Sequence, residues 1–372
     1  MMTNLLGALE SVRAIAPYVP GKPIEELARE VGLRPQDIVK LASNENPLGM
    51  PPDARVAAVE SLAEGARYPD GNAFALRNAL AQRLSVPAEW ITVGSGSNDL
   101  LEMAAAAMLA PGRSCVYSQY SFAVYPLATQ VRGARGVVVP AREYGHDLDA
   151  MAAAVKADTA LVYVANPNNP TGTFLDPAQV ESFLERVPSH VGVVLDEAYN
   201  EYLPPSLRFD AMQWVRRFPN LLITRTFSKA YGLAGLRVGY GVAQPEWTGL
   251  LNRVRMPFNV SAPAQAAACA AIADDDFLQR SYDLNRTELA ALGVGLREMG
   301  LEFVPSHANF LLVRIGPKAA QVYRALLAAG VIVRPVANYD LPDFLRVSVG
   351  LPHENARFLA ALRAALAALA AT

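Results

Sequence analysis

Residues 226–240 read Thr-Phe-Ser-Lys-Ala-Tyr-Gly-Leu-Ala-Gly-Leu-Arg-Val-Gly-Tyr. They follow an apolar run, residues 221–224, which predicts a buried strand that ends at its carboxyl edge. Lys229 lies just past that edge, with Ser228 before it and Arg237 eight positions later. A partly desolvated lysine can act as a nucleophile and form a Schiff base, and a serine and an arginine suit a phosphate. A lone Ser-Lys pair is equally compatible with a solvated surface lysine, so the rest of the chain must decide.

Composition limits the class of protein. The chain has 372 residues, 52% hydrophobic and 18% charged, so we expect a globular protein of about two or three domains. A net charge of −2 without a basic cluster argues against nucleic-acid binding. Cys115 and Cys269 are expected to be reduced thiols, as in a cytoplasmic protein. The scattered histidines predict no metal site, and no signal peptide or membrane-spanning run is recognisable.

The order of apolar runs and helical patterns predicts the fold. The strand-like runs are residues 90–93, 115–117, 136–139, 160–164, 191–195, 221–224 and 238–242. Because these runs are apolar on both faces and alternate with helical patterns, we expect an α/β fold with a mostly parallel sheet covered by helices on both faces. Later, a long helical pattern at 275–299 precedes strand-like runs at 310–313, 331–334 and 344–349.

The division into domains follows from this change of pattern. We predict a large domain over residues 46–280. We predict a smaller α+β domain from residues 1–45 and 281–372, with an N-terminal arm.

Polar motifs follow the strands of the predicted sheet. They are Asn-Pro-Asn-Asn-Pro-Thr-Gly at 166–172, Asp-Glu-Ala-Tyr at 196–199, and Ser-Lys at 228–229. Ligands bind outside the carboxyl ends of the strands in such sheets. A further segment, 94–99, joins a strand to a helix that we expect to begin near Leu100, and a helix N-terminus favours an anion. Because its residues are also ordinary helix caps, this segment alone is a weak indication.

Together these motifs resemble those of the pyridoxal-phosphate aminotransferases of fold type I, and among them the histidinol-phosphate aminotransferases. The resemblance covers nearly the whole chain. The shared motifs are Asn44-Glu45-Asn46-Pro47, Arg67-Tyr68-Pro69, Gly94-Ser95-Gly96, Asn168-Asn169-Pro170-Thr171-Gly172, Asp196-Glu197-Ala198-Tyr199, Ser228-Lys229, Gly235-Leu236-Arg237-Val238-Gly239 and Leu345-Arg346-Val347. Their joint order is highly specific for the cofactor and less specific for the substrate.

The resemblance implies roles around the ring of pyridoxal 5′-phosphate. Lys229 would hold the cofactor covalently and later move a proton. Asp196 would pair with the ring nitrogen, and Tyr199 and Asn169 would hydrogen-bond the phenolate oxygen. Phe122 matches the aromatic residue that stacks on the ring, although an ordinary core phenylalanine fits the same pattern.

The resemblance also implies a phosphate site that two subunits share. Ser97, Asn98, Ser228 and Arg237 would bind the cofactor phosphate. Many relatives carry aspartate where Asn98 stands, so the role of that side chain stays open. Tyr68 corresponds to a tyrosine that reaches the phosphate of the neighbouring subunit, which implies a homodimer with shared active sites.

The resemblance also implies a set of substrate-binding residues and a reaction. Arg346 matches an arginine that meets the carboxylate of glutamate and, in this branch, the phosphate of histidinol phosphate; Arg334, Tyr18 and Asn44 match further substrate contacts. A surface arginine is the alternative for Arg334.

The resemblance implies transamination of L-histidinol phosphate with 2-oxoglutarate to imidazole acetol phosphate and L-glutamate, in histidine biosynthesis. The alternatives are a broad aromatic aminotransferase, a decarboxylase of a phosphorylated amino acid, and a non-catalytic relative, which the intact motifs disfavour.

Overall fold

The computed structural model describes residues 7–17 and 21–370. Its strands are, in chain order, β1 (Val39–Lys40), β2 (Ile91–Gly94), β3 (Ser114–Ser118), β4 (Arg135–Val139), β5 (Thr159–Ala165), β6 (Gly192–Asp196), β7 (Leu221–Thr226), β8 (Gly239–Ala243), β9 (Phe303–Val304), β10 (Phe310–Arg314), β11 (Val331–Ile332), β12 (Arg334–Pro335) and β13 (Phe344–Ser348). Its α-helices are α1 (Glu10–Arg13), α2 (Ile24–Val31), α3 (Pro52–Ser61), α4 (Phe74–Leu84), α5 (Ser97–Met108), α6 (Val124–Val131), α7 (Leu148–Ala154), α8 (Pro177–Arg186), α9 (Met212–Arg217), α10 (Pro245–Val254), α11 (Ala262–Ile272), α12 (Asp275–Glu298), α13 (Ala319–Ala328) and α14 (Pro352–Ala370).

A seven-stranded sheet forms the centre of the larger domain, with the strand order β2-β8-β7-β6-β5-β3-β4. The strands from β7 to β4 pair in parallel, whereas β8 runs antiparallel to both of its neighbours. The prediction of a mostly parallel sheet in an α/β fold is therefore confirmed. Strands β5, β6 and β7 are buried along their whole length, because helices cover both faces of this part of the sheet.

The smaller domain contains a four-stranded sheet in the order β12-β13-β10-β9, and β1 pairs separately with β11. The prediction of one strand over 331–334 is wrong, because the chain changes partner at Val333. Residues before it pair with β1, and Arg334 and Pro335 pair with β13. Pro335 has no N–H to donate, and it lies on an edge strand, where a proline is tolerated. Strand β1 pairs in parallel with β11, and this pairing joins residues before 46 to the smaller domain.

Helix α12 connects the two hydrophobic cores. Near its start, Leu278 packs against the core of the large sheet, and near its end Leu292 and Leu296 belong to the core beside the small sheet. The predicted boundary at 280/281 therefore falls inside a continuous helix, and the domain limits stay a prediction. Across residues 7–17 and 21–370, no helix combines the length and the apolar character needed to cross a bilayer.

Candidate active site

A cavity of about 200 Å³ lies at the carboxyl edge of the large sheet, where the ends of β5, β6 and β7 meet the small sheet. It brings together most of the predicted site residues: Asn44, Ser97, Asn98, Phe122, Asn169, Asp196, Tyr199, Ser228, Lys229, Arg237, Arg334 and Arg346. Tyr68 does not line this cavity, and Tyr18 lies outside the described residues. Because neighbouring parallel strands end at one edge, motifs far apart in sequence meet there.

Lys229 extends into the cavity from the turn after β7. Its Nζ donates a hydrogen bond of 3.2 Å to the carbonyl oxygen of Ser43 and lies 5.7 Å from the ring centroid of Tyr199. Burial and, to a smaller extent, the nearby positive charge of Arg346 lower the pKa of Lys229 from 10.5 to about 7. A substantial fraction of the amine is therefore neutral, and hence nucleophilic, near pH 7.

Asp196 ends β6 and faces the same cavity. Its Oδ2 accepts a hydrogen bond of 2.9 Å from the hydroxyl of Tyr125, and its Oδ1 accepts bonds of 3.3 Å from Thr224 and from the backbone of Ala198. Burial raises the pKa of Asp196 from 3.8 to about 6, while these hydrogen bonds oppose the rise. The carboxyl group is thus mostly ionised at neutral pH, and it can hold a proton on a partner nitrogen.

The sequence analysis did not identify Tyr125 or Thr224. Thr224 is the register partner of Asp196 on β7, and strand register cannot be obtained from an apolar run. Tyr125 lies three residues after Phe122, a spacing that could have placed both on one side of a helix start.

The start of α5 and Arg237 form one end of the cavity. Helix α5 begins at Ser97, three residues before the predicted start at Leu100, so its free N–H groups lie closer to the cavity. The Nη1 of Arg237 donates a hydrogen bond of 3.0 Å to the Oγ of Ser228. A Cβ at Gly96 would lie 2.4 Å from the Arg237 guanidinium, and a Cβ at Gly239 would lie 2.5 Å from the backbone nitrogen of Ser97. Only glycine lets these groups come so close, and together they form a cradle that fits a phosphate.

Asp99 fixes this turn, which the sequence analysis did not foresee. Its Oδ2 accepts a hydrogen bond of 2.9 Å from the backbone nitrogen of Ser95 and one of 2.7 Å from the amide of Asn259. Asn98, the preceding residue, is exposed and lines the cavity. The carboxylate at position 99 therefore shapes the loop, and residue 98 lines the cavity.

The opposite wall carries Arg346 on β13. Its guanidinium is buried and donates hydrogen bonds of 2.6 Å to the Oδ1 of Asn169 and of 2.8 Å to the carbonyl oxygen of Ala42. Arg334 on β12 is the register partner of Arg346, so both arginines leave the same face of the small sheet. Arg334 also lines the cavity, which disfavours its alternative interpretation as an ordinary surface arginine. Two cationic groups on one wall favour a ligand with two negative charges.

Asn44 links the arm to the wall with Tyr199. Its Nδ2 donates a hydrogen bond of 3.0 Å to the hydroxyl of Tyr199, and its Oδ1 accepts one of 2.8 Å from Ser348. Burial raises the pKa of Tyr199 to about 12, so this hydroxyl stays protonated and can donate to a ligand. Asn44 and Arg237 both adopt left-handed backbone conformations, with φ of 54° and 56°. Such conformations are unfavourable outside glycine and concentrate at functional sites.

Tyr68 occupies an exposed loop, as expected from its sequence. Its side chain is 82% exposed and stacks on Phe258, with ring centroids 4.6 Å apart and planes inclined by 16°. Other large apolar side chains of the surrounding segments are also exposed: Val59, Leu62, Phe74 and Met256. Exposed apolar groups of this number are typical of an interaction surface.

Comparison with known proteins adds independent information. Residues 36–362 match the family model described as aminotransferase class I and II. The chain is 62% identical to histidinol-phosphate aminotransferase 2 of Ralstonia nicotianae over 361 residues, which is 96% of each protein. It is 62% identical to histidinol-phosphate aminotransferase 1 of Cupriavidus pinatubonensis over 358 residues, which is 95% of each. Its fold is similar to the crystal structure of histidinol-phosphate aminotransferase from Sinorhizobium meliloti in complex with pyridoxal-5′-phosphate, with a TM-score of 0.90, 29% identity, and coverage of 99% of this chain and 100% of that one.

Proposed function

Since the chain belongs to the class I and II aminotransferase family, we propose that it exchanges an amino group between L-histidinol phosphate and 2-oxoglutarate, giving imidazole acetol phosphate and L-glutamate, in histidine biosynthesis. The observation that carries this proposal is the pairing of Arg334 and Arg346 on the cavity wall. Two guanidinium groups suit a dianionic phosphate, and one buried guanidinium suits the side-chain carboxylate of glutamate. The names of the most similar relatives support the same substrate.

The enzyme uses pyridoxal 5′-phosphate, and the residues around the cavity fit this cofactor. When bound, the cofactor supplies an electron sink for negative charge at the substrate α-carbon. We infer that Asp196 holds a proton at the ring nitrogen, and that Tyr199 and Asn169 donate hydrogen bonds to the phenolate oxygen. We infer that Phe122, which lines the cavity, packs on the ring face.

The phosphate group of the cofactor has its own set of ligands. We infer that it lies in the cradle formed by Ser97, Asn98, Ser228 and Arg237. The helix N-terminus supplies unpaired N–H groups, and the guanidinium supplies charge-assisted hydrogen bonds.

Lys229 is the residue that we assign to proton transfer. Because its pKa lies near 7, its amine can both accept and return a proton at neutral pH. Before the substrate binds, the same side chain would hold the cofactor covalently. On the opposite wall, we assign Arg346, Arg334, Asn44 and Tyr18 to substrate binding; the assignment of Tyr18 rests on sequence resemblance alone.

We also infer a homodimer with shared active sites. The exposed Tyr68 and the apolar side chains around it form a surface that a second copy can cover, with Tyr68 reaching the phosphate of the partner's cofactor.

Two unpaired cysteines, Cys115 and Cys269, favour a cytoplasmic location. We retain the division into a large domain over 46–280 and a smaller one from 1–45 and 281–372.

A single-turnover experiment tests the substrate. Purified enzyme that carries the cofactor is mixed with L-histidinol phosphate or with L-phenylalanine, and the visible absorbance of the cofactor is followed. We expect fast conversion with histidinol phosphate and slow conversion with phenylalanine. Comparable rates with both would indicate a broad aromatic aminotransferase. No conversion with either would contradict the proposal and favour decarboxylation of a phosphorylated amino acid.

A further inference from the structure

Tyr125 lies beneath the floor of the cavity and contacts two residues of the predicted cofactor site. Its side chain is fully buried, and its hydroxyl donates a hydrogen bond of 2.9 Å to the Oδ2 of Asp196. Its ring edge meets the ring of Phe122, with centroids 6.0 Å apart and planes at 87°. The ring of Tyr163 stacks on its other side at 4.5 Å with planes inclined by only 4°. This packing fixes the direction of the Tyr125 hydroxyl.

The two oxygens of Asp196 have different partners. Within the described residues, Thr224 and the backbone of Ala198 donate to Oδ1, both at 3.3 Å, and Tyr125 is the donor to Oδ2 at a shorter distance. Burial raises the pKa of Tyr125 well above its usual value, so its hydroxyl keeps its proton and acts as a donor. Loss of this hydroxyl would leave Oδ2 with one donor fewer in a buried site.

We propose that Tyr125 is a positioning residue that keeps the Asp196 carboxylate ionised and oriented toward the cofactor ring, so that the proton they share stays on the ring nitrogen. A hydrogen bond to an ionised carboxylate favours that form over the protonated one. Without it, the Asp196 carboxylate would compete more strongly for the proton that it is inferred to hold at the ring nitrogen. The inference rests on the cofactor and is independent of the proposed substrate.

The test compares two ligands that differ only at the ring nitrogen. Dissociation constants are measured for pyridoxal 5′-phosphate and for its analogue with CH in place of that nitrogen, with wild-type protein, Tyr125→Phe and Tyr163→Phe. We expect Tyr125→Phe to reduce the preference for the nitrogen-containing ligand about tenfold, as for a hydrogen bond to a charged group. Tyr163→Phe is the matched control, because its hydroxyl donates to the carbonyl oxygen of Leu101 and not to Asp196.

Two results would overturn the proposal. Equal weakening of both ligands by Tyr125→Phe would show that the side chain only supports packing, and no change in either dissociation constant would show that its hydroxyl does not act on Asp196. A second variant, in which the hydrogen bond to Asp196 is strengthened, keeps the proposal testable if Tyr125→Phe folds poorly. Incorporation of 3-fluorotyrosine at position 125 makes the hydroxyl a stronger donor without removing atoms, and it should raise the preference for the nitrogen-containing ligand. If it does not, the proposal is wrong.

Discussion

Arg334 on β12 and Arg346 on β13 lie directly opposite each other in an antiparallel pair, and both point to the side of the small sheet that faces Lys229. Like charges in this arrangement destabilise a sheet. The positive charge of Arg346 also helps to lower the pKa of Lys229. An anion that binds between the two arginines would remove the unfavourable interaction, as expected if the pair serves the substrate binding that we propose.

Substitution of the two arginines should separate their roles. We expect Arg346→Gln to weaken both half-reactions by roughly 10²-fold in kcat/KM, because a buried charge-assisted contact is lost with either substrate. Arg334→Gln should weaken the reaction with histidinol phosphate at least about tenfold and change the reaction with glutamate little. Arg363→Gln, at an exposed position on α14, is the control. An effect of Arg346→Gln on one half-reaction alone would contradict a shared anion site.

Asp196→Asn should remove most of the turnover and leave the fold intact. The amide is the same size as the carboxyl group, but it carries no charge to hold a proton on the ring nitrogen. We expect kcat to fall by ~10²-fold or more, the order of effect seen when a group that stabilises developing charge is removed. Steady-state kinetics and far-UV circular dichroism measure the two properties. Near-normal turnover would exclude the assigned role of Asp196.

Lys229→Met should abolish turnover and stabilise the protein without its cofactor. Because the pKa of Lys229 is lowered to about 7, the unfolded chain binds a proton between pH 10.5 and 7 that the folded chain does not. The free energy of unfolding of the wild type therefore falls as the pH is lowered through this range. The variant should lack this dependence and be more stable by ~2–4 kcal/mol near pH 7.5.

Urea unfolding of both proteins at several pH values checks this expectation. Lys156→Met, at an exposed position, is the control and should behave like the wild type. A difference between Lys229→Met and the wild type that does not change with pH would mean that the lysine is not buried as a neutral amine.

Gly96→Ala should weaken cofactor binding more than any nearby loop substitution. The added Cβ would lie 2.4 Å from the Arg237 guanidinium, and Gly96 has a φ of 79°, which a side chain disfavours. We expect the dissociation constant for pyridoxal 5′-phosphate to rise at least about tenfold and stability to fall by ~1–2 kcal/mol. Gly235→Ala, two residues before Arg237, is the matched control, because no atom beyond its chain neighbours lies within 4 Å of its Cβ position. Equal effects of the two substitutions would argue against the cradle.

Mixed dimers test the proposed shared site. One subunit carries Lys229→Ala and the other carries Tyr68→Ala, so that one of the two sites combines an intact lysine with an intact tyrosine from its partner. We expect the purified hybrid to have about half of the wild-type activity, and both parent homodimers to have much less. If the hybrid is no more active than the Tyr68→Ala parent, Tyr68 does not act across the interface.

The sequence predicted the sheet well, because its strands are continuous apolar runs between helical patterns. It also predicted which polar motifs meet, because those motifs follow parallel strands. The contacts that tune the site were not predictable in this way. The bond from Tyr125 to Asp196 depends on a side-chain direction, and the pairing of Arg334 with Arg346 depends on strand register. The break at Val333 was missed because apolar character does not reveal a change of pairing partner.

The left-handed backbone at Arg237 sets a limit on how this enzyme can be made more robust. A non-glycine residue at positive φ strains the backbone, and replacement with glycine relieves that strain. Among the described residues, nine non-glycine residues have a positive φ, and three of them are Asn44, Arg237 and Phe258, with φ of 54°, 56° and 57°. Those same three side chains line the cavity or support Tyr68. Glycine at each would relax the chain but remove a side chain that lines the cavity or one that stacks on Tyr68. If these side chains have the roles that we propose, thermostability and catalytic competence conflict at these positions.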